Sequence, residues 1–301
     1  MYTAYEKRVL QEIKDWELAK PGLIIKTIDA IGKPVSVIME NIPRSVRITV
    51  EKAVLGFMEM LKDFSYWTYS DKRIIKKAND AGLNIHSITD LAGQDIEKLD
   101  RIAHSFFNSN KIIAALEGAG CGLGGLGLIA ADIPVLMGIG FRSIQQIGSS
   151  YGFNMQDPAM LPVVMSVYTA GSCSSVAVKS TVLTDMHIAA ASLAGKTAYV
   201  KAAARTQTSL FVNFIERSTG SFPAQVAENL SKRKLSQLIP VVGAVIGAGF
   251  NYWLISSTMT SAYMIFRKLY FERKNSTVTD LPVIRGTGAP IRRRFRILRS
   301  T

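Results

Sequence analysis

Apolar residues recur at three- and four-residue steps along the first hundred residues, which is the period of a helix buried on one side. In residues 1–20 this pattern predicts an amphipathic helix that ends before Pro21 and Gly22. A second helix is predicted from about Arg44 to Lys62. Its buried positions would be Val46, Val50, Val54, Phe57, Met58 and Leu61.

Two further helices are predicted before residue 100. The first spans Asp71 to Ala81, and a capped one runs from Ser87 to Lys98 with Leu91, Ile96 and Leu99 on the buried side. The alternation of apolar and polar residues that marks a half-buried strand is not sustained in this part of the chain. We therefore expect an all-α fold, a helical bundle, and not an α/β domain.

The second half of the chain contains long stretches without a charged residue. They cover residues 118–131, 133–141, 158–178 and 235–266, and the last is thirty-two residues long. A membrane-spanning helix needs roughly twenty predominantly apolar residues. Residues 241–266 are long enough, but their serines, threonines and Asn251 weaken insertion. A buried helix, or two helices that break near residues 247–249, fits almost as well.

Glycines with four-residue spacing lie in two of these stretches. This spacing puts small residues on one helix face and lets a second backbone approach closely. Each glycine costs a helix in water about 1 kcal/mol relative to alanine, so packing or lipid must stabilise these segments. We expect closely packed glycine-rich helical hairpins, buried in the protein or embedded in the membrane as re-entrant segments. The packing glycines would be Gly118, Gly120, Gly122, Gly124, Gly243, Gly247 and Gly249.

Almost half of the net charge of +13 comes from six arginines in the last seventeen residues. Residues 275–301 are expected to form a basic, disordered tail after a helical domain of residues 1–274. The tail's arginines suit the anionic inner leaflet of a membrane, whereas the body lacks the basic and aromatic motifs of a nucleic-acid-binding domain. Residues 1–20 lack the apolar core of a secretory signal. These features favour membrane lipids as partners, at the cytoplasmic face, over nucleic acid.

The motifs that carry chemistry are weak. The dinucleotide pattern G-x-G-x-x-G matches twice in residues 120–127, as expected from composition alone, and no preceding strand is evident. The three histidines and two cysteines lack metal-ligand spacing, and no Gly-x-Ser-x-Gly elbow is present. We therefore expect no cofactor and no metal.

Three residues are weak catalytic candidates: Glu117, Asp132 and His187. Glu117 and Asp132 flank the first glycine-rich stretch, where a carboxylate would be partly desolvated and would need a cation or hydrogen-bond donors. Arg142 is a candidate partner for Asp132 across a hairpin. The interpretation that we favour is simpler. Asp132, ahead of Pro134, would cap the start of a helix.

Several separated motifs resemble those of the EcsC protein family. At the N-terminus these are Tyr5-Glu6 and Trp16; in the centre, Ala115-Leu-Glu-Gly-Ala-Gly120, Gly124-Gly125, Asp132-Ile-Pro134 and Tyr151-Gly-Phe153; near the C-terminus, residues 239–253, Ala262-Tyr263 and Phe266-Arg267. The resemblance covers residues 1–274. It implies membrane association and marks Glu117, Asp132, Pro134, Asn251 and Trp253 as motif positions without giving them roles.

The resemblance also suggests a context but no activity. The family takes its name from a member encoded beside the two components of an ABC transporter, and it supplies no catalytic residues to carry over. The function that we expect is a membrane-associated, non-enzymatic factor that assists an envelope or transport process, with a transporter or envelope protein as partner. The alternative is a membrane-bound hydrolase acting on a lipid or a peptide.

Overall fold

The computed structural model describes residues 2–19, 44–62, 69–121, 125–157, 160–172, 182–183, 226, 230 and 243–276. Within these ranges every regular element is helical, which confirms the all-α prediction. The helices are α1 (Ala4–Leu18), α2 (Arg44–Lys62), α3 (Asp71–Asp80), a 3₁₀ helix (Ile88–Gly93), α4 (Ile96–His104), α5 (Phe107–Cys121), α6 (Gly125–Ser150), α7 (Leu161–Ser172) and α8 (Gly243–Ser276).

The N-terminal helices follow the sequence pattern closely. At the start of α1, the Thr3 hydroxyl accepts a hydrogen bond from the backbone N–H of Glu6, and the Glu6 carboxylate accepts one from the backbone N–H of Thr3. This capping box fixes where the helix begins. The predicted positions Val50, Val54 and Phe57 of α2 are buried.

The single helix predicted from Ser87 to Lys98 is wrong in part. Ser87 caps a 3₁₀ helix, and α4 then begins after Asp95, whose carboxylate accepts a hydrogen bond from the backbone N–H of Glu97. Two caps eight residues apart divide the segment into two short helices. The predicted buried residues Leu91, Ile96 and Leu99 do lie in the core.

Helices α6 and α8 run parallel to each other through the centre of the bundle. Contacts at three successive levels define this direction. The pairs are Asp132 with Asn251, Gly140 with Ile255 and Gly148 with Phe266. Helix α8 packs along α5, α7 and α6, and α1 lies against its C-terminal half. On the outer side of α6, α2 packs through an edge-to-face contact between Phe57 and Phe141, with ring centroids 5.2 Å apart.

Two glycines outside the predicted set lie at close contacts of α6 and α7. A Cβ atom at Gly140 would lie 2.5 Å from the Tyr168 ring, and one at Gly171 would lie 2.4 Å from the Thr258 backbone. At Gly249, by contrast, no described atom lies within 4 Å of a Cβ position, and a role of this glycine in membrane or helix packing stays a prediction. Gly249 is exposed on α8.

The thirty-two-residue uncharged stretch contributes to one continuous helix. Helix α8 runs for 34 residues without a break at Gly247 or Gly249, so the alternative of two shorter helices is wrong. Among the helices that the structure describes, none combines the length and the apolar character needed to cross a membrane. Pro134 lies inside α6, as the tenth of its 26 residues.

Candidate functional site

A buried ion pair joins α4 to α8. The carboxylate of Asp100 accepts two hydrogen bonds from the Arg267 guanidinium, at 3.0 Å from Nε to Oδ1 and 2.6 Å from Nη2 to Oδ2. Each of the two residues is only 3% exposed. A bidentate contact of this kind fixes the angle between the guanidinium and carboxylate planes as well as the distance between the two groups. It holds two helices whose paired residues are 167 positions apart in the sequence.

Three tyrosines and one glutamate complete the hydrogen bonding of this pair. Tyr5 donates to Asp100 Oδ2 at 2.7 Å and Tyr151 donates to Oδ1 at 2.5 Å. Arg267 donates in turn to the Tyr263 hydroxyl and, at 2.8 Å, to the half-exposed carboxylate of Glu12. We call the six residues the Asp100 network: Tyr5, Glu12, Asp100, Tyr151, Tyr263 and Arg267. It connects α1, α4, α8 and the turn after α6.

The electrostatics of the network keep its hydroxyl groups protonated. Burial and the Asp100 carboxylate raise the pKa of Tyr5 to about 12, and they also raise the pKa of Tyr151 and of Tyr263 above the ordinary value of tyrosine. Burial opposes the charge of Arg267, but the hydrogen bonds and the negative charge of Asp100 outweigh it and raise the pKa of the guanidinium above its usual value. Hydroxyls that stay protonated, together with a carboxylate whose oxygens both accept hydrogen bonds, indicate a structural tie, that is, a network that holds the helices together, and not an acid–base centre.

Three consecutive residues, Tyr151, Gly152 and Phe153, form the turn after α6 and connect it to other helices. The Tyr151 side chain is fully buried in the network. Gly152 has a φ of +79°, and a Cβ atom there would lie 2.5 Å from the backbone nitrogen of Ala92. The Phe153 ring lies 4.6 Å from the guanidinium of Arg273, which donates hydrogen bonds to the backbone carbonyls of Ala92 and Tyr151. This turn therefore fastens the end of α6 to the 3₁₀ helix and to α8.

A second polar contact lies deep between α6 and α8. Asn251 Nδ2 donates to Asp132 Oδ1 at 3.2 Å, and the two residues are 0% and 1% exposed. The structure thus brings together two of the predicted motif positions. The neighbouring motif residue Trp253 is also buried, with its ring 6.0 Å from that of Phe250.

The prediction that Asp132 caps a helix is wrong. Helix α6 begins seven residues earlier, at Gly125, so the free N–H groups that a cap would satisfy are not at Asp132. Pro134 is accordingly an interior proline. Arg142 lies on the same helix, ten residues or about 15 Å further along its axis, so it does not face Asp132 across a hairpin.

The remaining predicted residues lie partly or wholly outside the described part of the chain. His187, Gly122 and Gly124 are not described. Glu117, Gly118 and Gly120 are helical residues of α5, and Gly243 and Gly247 are helical residues of α8, but their surroundings are not described. The proposal that Glu117, Asp132 and His187 share a pocket therefore stays a prediction. Among the residues that are described, no three histidine, cysteine, aspartate or glutamate side chains are grouped so that they could hold a metal ion.

A family model described as the EcsC protein family matches residues 7–270. This chain belongs to the EcsC protein family. Its relatives include Protein EcsC of Bacillus subtilis strain 168, at 25% identity over 66% of this chain and 75% of the relative. Another is a protein of the same strain named Uncharacterized protein YdbA, at 24% identity over 60% of this chain and 61% of YdbA. No solved structure matches the chain.

Residues of the motifs that resemble those of the EcsC family take part in both buried contacts. Tyr151 and Arg267 donate to Asp100, Tyr263 accepts a hydrogen bond from Arg267, and Asp132 accepts one from Asn251. Asp100 itself was missed. Two signals were available, because Asp100 directly follows the predicted buried residue Leu99 and Arg267 is the first charge after the long uncharged stretch.

Proposed function

We propose that this EcsC-family protein is a membrane-associated, non-enzymatic factor that works at the cytoplasmic face and assists an envelope or transport process. One observation carries the proposal, namely the uneven distribution of charge along the parallel pair α6 and α8. We call residues 125–141 of α6 and 243–266 of α8 the charge-poor end. It contains a single charged residue, the buried Asp132.

The opposite end of α8 is strongly charged. Residues 267–274 contain Arg267, Lys268, Glu272, Arg273 and Lys274, and α1 pairs with them through Glu12, Glu17 and Glu6. A helix pair with many charged residues at one end and a single one at the other suits a boundary between water and lipid. The exposed side chains of Val135 and Tyr252, at 51% and 42%, contribute to the apolar character of the charge-poor end.

The proposed mode of attachment combines two elements. The glycine-rich ends of α5, α6 and α8 would enter the membrane as closely packed helices, in the re-entrant arrangement that the sequence predicts. The six arginines of residues 285–299 would add attraction to anionic lipids, at about 1 kcal/mol for each basic residue near the surface. A transporter or another envelope protein would be the partner held at this location.

Membrane fractionation of cells that express the full chain tests the proposal. We expect the protein in the membrane pellet. Release by high salt would assign attachment mainly to the arginines, whereas retention in alkaline carbonate would assign it to the inserted helices. A variant that lacks residues 277–301 serves as the matched comparison. Recovery of both chains in the soluble fraction at low salt would contradict the proposal.

A further inference from the structure

Helix α5 presents two neighbouring isoleucines to solvent. Ile112 is 57% exposed and Ile113 is 48% exposed. On the adjacent helix α8, Tyr252 is 42% exposed, and the ammonium of Lys111 lies 5.9 Å from the centre of its ring. We call these four residues, Lys111, Ile112, Ile113 and Tyr252, the α5–α8 face.

Lys111 has an unusual environment for a surface lysine. Its ammonium lies over the Phe107 ring, 5.1 Å from the centre, and burial lowers its pKa. Within the described ranges no carboxylate lies within ion-pair distance of it. The α5–α8 face therefore carries a cation that the described part of the protein does not neutralise, next to two exposed aliphatic side chains.

We infer that the α5–α8 face is a lipid-contact surface, on which Ile112 and Ile113 enter the acyl boundary and Lys111 binds the phosphate of an anionic lipid. This inference rests on the proposed membrane function and names the residues that would carry it. Lysine reaches out of an apolar surface on its aliphatic stem, and the tyrosine ring places its hydroxyl at the headgroup level. An anionic lipid complements both the apolar surface and the unpaired positive charge.

The size of the face favours lipid over a folded protein partner. A stable protein–protein interface uses roughly 20–30 residues on each side, with charged residues depleted from its centre. Among the described residues the α5–α8 face comprises four, and its lysine directly precedes the two isoleucines in the sequence. Shallow insertion into a bilayer requires only a few apolar side chains with a nearby cation.

Sedimentation of the purified full chain with vesicles of phosphatidylcholine, with and without phosphatidylglycerol, tests the inference. We expect the variant I112E/I113E to lower the vesicle partition coefficient by on the order of tenfold or more, because two charges must then enter the apolar boundary. Lys111→Gln should weaken binding to the anionic vesicles and leave binding to phosphatidylcholine unchanged. The matched control is Leu18→Glu, because Leu18 is 68% exposed at the end of α1 and lies outside the face.

The outcomes separate this inference from the proposed function. If the unmodified chain does not bind either kind of vesicle, both are overturned. If it binds and I112E/I113E binds equally well, only the α5–α8 face is overturned. Equal loss of binding in Leu18→Glu, or dimerisation that I112E/I113E abolishes while vesicle binding persists, also overturns it. Far-ultraviolet circular dichroism checks the fold, and I112S/I113S replaces the glutamate variant if its helical signal falls.

Discussion

The charge of Asp100 is expected to contribute far more to stability than a surface charge on the same helix. Asp100→Asn keeps the size of the side chain but removes the charge that neutralises Arg267, whose side chain is 4% exposed. It also places an amide where the Asp100 carboxylate accepts four hydrogen bonds, two from Arg267 and one each from Tyr5 and Tyr151. Breaking one partner of a buried ion pair costs about 3–5 kcal/mol, so we expect a loss in this range.

Helix α4 supplies a control that matches this change. Glu97 forms an ion pair with Arg101 at 2.6 Å, the same length as the contact between Arg267 Nη2 and Asp100 Oδ2. The side chains of Glu97 and Arg101 are 44% and 71% exposed. Because water screens this pair, Glu97→Gln should cost at most about 0.5 kcal/mol. The two substitutions remove the same charge from the same helix and differ in burial.

Urea unfolding followed by circular dichroism at 222 nm measures both free energies. A loss of about 3–5 kcal/mol is a large part of the 5–15 kcal/mol that holds a typical domain folded, so Asp100→Asn should move the midpoint strongly. A double variant with Arg267→Met should lose less than the sum of the two single variants, because no unpaired charge remains buried. Equal losses for Asp100→Asn and Glu97→Gln would refute the assignment of the Asp100 network as a structural tie.

Three further outcomes follow from the geometry. Gly152→Ala should lower the free energy of unfolding by more than the control Gly82→Ala. Both glycines have a positive φ, and this strain alone costs about 1–2 kcal/mol in the control, but only at Gly152 would the Cβ atom meet the Ala92 backbone. Equal losses of the two variants in thermal unfolding would contradict this. The folded state should lose stability as the pH rises from 10 to 12, since the pKa of Tyr5 is about 12 in the folded chain against an ordinary 10.0. Tyr5→Phe should remove that component of the pH dependence, measured by tyrosinate absorbance and unfolding midpoints. Gly140→Ala should destabilise the bundle at its Tyr168 contact, whereas Gly56→Ala on α2, which has open space, should not.

Periodicity predicted the N-terminal helices well because each of them is buried on one side only. In α1, Val9 and Ile13 are buried while Lys7, Arg8 and Lys14 are exposed. Apolar residues therefore recur with the period of the helix. The same rule could not separate one long helix from two short ones in α8. Its residues Leu254, Ile255, Thr258 and Met259 are all buried, because several helices pack around it and the apolar period is lost.

The two buried polar contacts were less accessible to sequence reasoning. Asp100 and Arg267 are joined by tertiary packing over 167 positions, and neither neighbourhood contains a local motif for an ion pair. Asp132 was predicted as a helix cap because proline two residues later is typical of a first turn. The helix instead continues through Pro134, and the carboxylate meets Asn251 on a helix that lies 119 positions away.

Site-specific labelling tests most directly whether the charge-poor end meets lipid. In a chain with both native cysteines replaced by serine, Gly249→Cys and Leu18→Cys each place one thiol at an exposed position, the first at the charge-poor end and the second on α1. Anionic vesicles should slow the reaction of a bulky, water-soluble maleimide with the thiol at position 249 and leave the reaction at position 18 unchanged. Equal labelling rates at position 249 with and without vesicles would contradict the account.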